Sequence, residues 1–98
     1  MNTPPDENAI KAEIAKLKGL KPRIRQFTAF GDDNHAAINA QIEVLEESLT
    51  EAEIYDRFED PDDPDSTTSV ASAAIDAWLW MQGEEVTSPA SDWKHLAN

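Results

Sequence analysis

The chain has 98 residues, 20 acidic and 8 basic side chains, a formal net charge of −12 and no cysteine. A length of this order suits one domain or less, and the absent thiols exclude a disulfide framework and any Cys-based zinc or iron–sulfur site. Of its 39 apolar residues 14 are alanine, which leaves a thin core, and the longest apolar run, Ala77 to Met81, is far too short for a membrane span.

Residues Met1 to Asn8 hold no cation and no apolar stretch, so no secretory signal is read there and a cytoplasmic location is expected. Pro4, Pro5 and Asp6 form a helix start, Glu7 suits the first turn, and Gly19 is the expected stop. Between them Ile10, Ile14 and Leu17 make one narrow apolar stripe, which predicts a first helix over about 6–18. Residues 19–31 are the hardest to read, because Pro22 interrupts the pattern. Ile24, Phe27 and Phe30 are expected to cover one end of the core.

Asp32 or Asp33 then caps a second helix over 33–49, whose Ile38, Ile42, Leu45 and Leu49 fall at a/d spacings widened by Ala37, Ala40 and Val44. Thr50-Glu51-Ala52-Glu53 reads as a capping box that opens a short helix over 51–58 with Ile54, Tyr55 and Phe58. Residues 59–68, rich in Pro and Asp, cannot bury apolar surface and read as a flexible acidic linker. A fourth helix over about 69–82 follows, capped by Ser69 and stopped by Gly83, with Val70, Ala71, Ala74, Ile75, Ala77, Trp78, Leu79 and Met81 on its apolar arc. Trp80 falls outside that arc. The tail over 84–98 is polar apart from Val86, Trp93 and Leu96, and is expected to be partly ordered through Trp93.

The charge is unevenly placed. Six of the eight cations precede residue 26, whereas eleven of the 23 residues from Glu43 to Asp65 are acidic and only Arg57 among them is basic. The basic stretch from Lys16 to Arg25, with Phe27 and Phe30 beside it, offers a nucleic-acid contact on its face, but the net negative field opposes phosphate. Its lysines are better placed against Glu43, Glu46 and Glu47 of the second helix.

Catalytic and metal chemistry find little support. An EF-hand loop started at Asp60 meets Pro64 at its fifth position and Ala71 at its twelfth, and one started at Asp63 meets Thr68 and Ala74 at its sixth and twelfth, so neither register works. His35 lies near Asp32 and Asp33 and His95 near Asp92, yet no cysteine or serine turn supplies a nucleophile. The three glycines form no phosphate loop. No cofactor or metal is expected, and no enzymatic activity.

These features predict an all-α fold, a single domain over 1–98 built as a small antiparallel helical hairpin or bundle of about four short helices. The expected function is non-enzymatic: an acidic protein that engages a basic, nucleic-acid-handling protein, as a nucleic-acid mimic or inhibitor, without binding nucleic acid or membrane itself. The residues expected to carry it are Glu43, Glu46, Glu47, Glu51, Glu53, Asp56, Glu59 and Asp60, which helical spacing sets in a row. The alternative is a structural protein that self-associates as a weak homodimer through Trp80, its acidic surface serving solubility alone.

Overall fold

A computed structural model describes residues 3–29, 33–58 and 69–97. Helix α1 (Glu7–Leu20) begins where the sequence places it, with the Asp6 carboxylate accepting from the Ala9 N–H at 2.8 Å. It does not stop at Gly19. The helix runs through that residue to Leu20 and tightens into a 3-10 turn over Lys21–Arg23, where Pro22 cannot continue the hydrogen-bond ladder. Proline therefore ends the helix, and Gly19 is an interior residue whose added Cβ would meet nothing within 4 Å.

The segment after the turn is held by the start of α2 (Asn34–Glu47). Asn34 Nδ2 donates to the Arg25 carbonyl at 3.0 Å, the Asn34 N–H donates to the Gln26 carbonyl at 2.7 Å, and His35 Nε2 donates to the Ile24 carbonyl at 2.7 Å. Ile24 is buried as expected. Phe27 is not: it stands 49% exposed, because the polar grip falls on the backbone around it and leaves its ring outside. Phe30 lies outside the described residues.

Helix α2 is capped by Asp33, whose carboxylate accepts from the Ala36 N–H at 3.0 Å. Its a/d stripe is wholly interior, with Ile38, Ile42, Leu45 and Leu49 buried alongside Ala37, Ala40 and Val44. Ser48 ends it in the left-handed region (φ 53°), which turns Leu49 back into the core. Helix α3 (Glu51–Phe58) opens with the capping box read from the sequence: the Glu53 N–H donates to Thr50 Oγ1 at 3.3 Å while Glu53 Oε1 accepts from the Thr50 N–H at 3.3 Å.

Helix α4 (Ser69–Met81) packs most extensively on α2 and also meets α3. Its inner face is made of Ala71, Ala73, Ala74 and Ala77, all buried, and these short side chains let α2 approach closely enough for its larger ones to fill the space. Gly83 (φ 83°) stops it, with the Gly83 N–H on the Trp80 carbonyl and the Glu84 N–H on that of Leu79. The acidic linker expected over 59–68 lies outside the described residues.

The tail docks. It forms two short 3-10 turns, Pro89–Asp92 and Lys94–Leu96, that bury Pro89, Ala90 and Trp93 against α1, α2 and α4. The result is a compact all-α globule of four helices and a bent C-terminal helical segment, with no strand among the described residues. Two polar side chains inside it organise that docking. Gln41, fully buried on α2, donates through Nε2 to the Ala73 carbonyl and to Asp92 Oδ2, each at 3.1 Å, and accepts from the Trp93 indole N–H at 2.7 Å. Glu13, 3% exposed on α1, accepts the Ala90 N–H at 2.6 Å.

Because Gly19 sits in helical backbone with open space around it, Gly19→Ala is expected to stabilise the protein by roughly 0.5–1 kcal/mol. Urea unfolding followed by circular dichroism reads this directly. A destabilised variant would show that the helix needs glycine there after all.

Candidate functional site

The acidic row spans the end of α2 and all of α3, and each carboxylate has a definite setting. Glu43 and Glu47, one turn apart on α2, share Arg57 of α3, whose Nη1 lies 2.6 Å from Glu43 Oε1 and 3.2 Å from Glu47 Oε2. Glu46 meets Lys18 of α1 at 3.3 Å. The Glu53 side chain is turned back onto Thr50 by the capping box. Glu51 and Asp56 are exposed on α3. Glu59 and Asp60 lie outside the described residues.

The row bends at Ser48 and carries internal counter-ions on three of its members. Pairs this exposed add little to stability, but Arg57 links α3 to α2 and partly neutralises Glu43 and Glu47. Three lysines of α1 also have internal partners: Lys11 pairs with Glu7 at 3.1 Å, Lys16 with Glu13 at 3.9 Å and Lys18 with Glu46. The expectation that lysines of α1 lie against the acidic row thus holds for Lys18 alone among these three, since Glu43 and Glu47 are taken by Arg57.

Trp80 is half-buried and packs against the core, at the edge of a shallow hollow shared with Thr3, Pro5, Gly83, Glu84 and Val86. Among the described residues the strongly exposed aromatic rings are elsewhere, at Phe27 and Tyr55. Phe27 borders an apolar hollow with Arg23, Ile24, Arg25 and Leu96. Tyr55, 42% exposed, borders another between α3 and α4 together with Ala71, Ser72, Ile75 and Asp76. Its position was legible in principle. Tyr55 follows the fully buried Ile54, and a 100° step takes a helical side chain from the core to the rim.

Asp76 is the one described carboxyl here held above its ordinary range, first by partial desolvation and then by the negative charge of Asp92. Asp92 itself is engaged, accepting from Gln41 Nε2 through Oδ2 and from the Thr87 hydroxyl through Oδ1 at 3.1 Å. His35 serves the backbone of Ile24, and His95 is exposed. Among the described residues no three His, Cys, Asp or Glu side chains converge to hold a metal ion, and no helix is long and apolar enough to cross a membrane.

No protein-family model matches the chain, and no curated protein or solved structure is significantly similar to it.

The raised pKa of Asp76 has a determined sign. The folded protein binds this proton more tightly than the unfolded chain, so ionisation costs stability as pH rises above the ordinary value of 3.8, and the cost is complete above the shifted value. Asp76→Asn should therefore be more stable than the wild type at neutral pH, with the difference fading as pH falls to about 3.8 and below. Thermal melts across that range test it. A variant less stable at pH 7 would mean that the Asp76 carboxylate is held by a favourable partner.

Proposed function

We propose that the protein is a non-enzymatic acidic binding protein that engages a basic, nucleic-acid-handling protein, occupying its nucleic-acid cleft as a mimic of duplex charge. The observation that carries this reading is the set of carboxylates that α2 and α3 hold at helical spacing on packed helices. Duplex DNA presents closely spaced negative charge along its axis, and a competitor for the same cleft needs comparable charge on a rigid frame. A floppy acidic tail would lose affinity to ordering entropy; residues set on packed helices do not. The net charge of −12 adds long-range steering toward a basic surface.

Arg57 and Lys18 temper the charge, and that gives the reading an asymmetric test. Reversing Glu43, Glu46, Glu47 and Glu51 to lysine should weaken capture of the basic protein. Arg57→Gln should strengthen it, because Glu43 and Glu47 are then left for the partner. Capture by the wild type should fall as salt shortens the screening length from about 8 Å at physiological strength to about 3 Å at 1 M, and duplex DNA should compete for the same partner. Circular dichroism on each variant separates these effects from unfolding. Capture indifferent to the four reversals and to competing DNA would remove this function.

A further inference from the structure

The hollow between α3 and α4 has an unusual combination of walls. Its floor is apolar, formed by Ala71 and Ile75; one side is the exposed ring of Tyr55; the rim carries Ser72 and the Asp76 carboxylate. Ser72, Ile75 and Asp76 fall at i, i+3 and i+4 and so stand on one stripe of α4, facing α3. Tyr55 is one turn beyond Glu51 on α3, so the hollow adjoins that carboxylate, on the flank of α3 turned away from Arg57.

Three classes of side chain could enter, and charge separates them. An apolar side chain would finish the desolvation of Asp76 and return nothing for it. An anion would meet Asp76 and the Asp92 charge behind it. A cation with an aliphatic stem satisfies both the floor and the rim. Between the two natural cations, arginine fits better: its planar, weakly hydrated guanidinium stacks on an aromatic face and bonds a carboxylate through two N–H groups at once, whereas the compact lysine ammonium keeps its water.

We propose that the hollow lined by Tyr55, Ile75 and Asp76 receives a single arginine side chain of the basic partner, its stem on Ile75 and Ala71 and its guanidinium between the Tyr55 ring and the Asp76 carboxylate. This rests on the proposed binding of a basic protein by the α2–α3 face, and it supplies what a row of surface carboxylates lacks, namely a shape-selective anchor. It distinguishes arginine from lysine where simple charge attraction does not.

Labelled nona-arginine and nona-lysine, titrated into the full chain and followed by fluorescence anisotropy, separate the two levels. The wild type should bind nona-arginine more tightly. Tyr55→Leu and Asp76→Asn should each weaken nona-arginine about fivefold to tenfold and change nona-lysine less than twofold. Tyr55→Phe, which keeps the ring, should bind as the wild type does. Equal binding of the two peptides, or nona-arginine affinity unchanged in both Tyr55→Leu and Asp76→Asn, overturns the anchor; if reversal of Glu43, Glu46, Glu47 and Glu51 still weakens both peptides, the acidic-face function survives that result. Binding of both peptides indifferent to the four reversals removes the acidic-face function and the anchor's partner with it. Retained helical circular dichroism shows in each case that the variant is folded.

Discussion

A fully buried glutamine sets the terms for the rest of this fold. Gln41 occupies the centre of the apolar face of α2, where an amide without partners would cost about 1–3 kcal/mol for each group left unsatisfied. Its partners come from the Ala73 carbonyl on α4 and from Asp92 and Trp93 in the C-terminal segment. Glu13 repeats the device from α1, holding the Ala90 N–H. Loss of the C-terminal segment would take the partner from the Gln41 carbonyl oxygen and from Glu13 Oε1 while exposing Trp93, Ala90 and Pro89. A core in which four alanines line α4 has little apolar surface in reserve. The terminal segment is therefore part of the fold, and it touches α1, α2 and α4 together.

Local rules account for much of what the sequence made legible. The a/d stripe of α2 is buried throughout, the Thr50–Glu53 capping box forms with both of its bonds, and Gly83 ends α4 in the left-handed conformation that its missing Cβ allows. Each of these depends on residues within a few positions of one another. Gly19 misled for a related reason: glycine is permissive and does not by itself end a helix, whereas Pro22, three residues on, removes a donor and does. The exposure of Phe27 follows from Asn34 and His35 gripping the backbone at Ile24, Arg25 and Gln26, a pattern that apolar periodicity does not encode.

The buried polar centres were illegible for a deeper reason. Glutamate and glutamine on a helix read as solvent-facing, since glutamine is mostly exposed in folded proteins and glutamate is almost never fully buried unless paired. The pairs that reverse the rule join Glu13 to Ala90 and Gln41 to Asp92 and Trp93, across separations of 77, 51 and 52 residues. Nothing within one helical turn announces them. Among the candidate site residues the same division holds. Helical spacing places Glu43 and Glu47 on one face correctly, but the arginine that bridges them comes from the next helix, and Trp80 packs inward while Tyr55 faces out. The α2–α3 face is thus a partly neutralised set of carboxylates carried on two packed helices.

Whether the C-terminal segment is built into the domain is open to one direct measurement. Native-state hydrogen exchange reads the opening free energy at each protected N–H, and the Ala90 amide and the Trp93 indole N–H report the Glu13 and Gln41 bonds individually. If the buried polar centres unite the helices, both protons exchange only through global unfolding, with the same free energy as the slowest amides of α2 and the same response to denaturant. Exchange of either proton at a much lower free energy, by a local opening that leaves α2 protected, would contradict the account and make the segment a detachable tail.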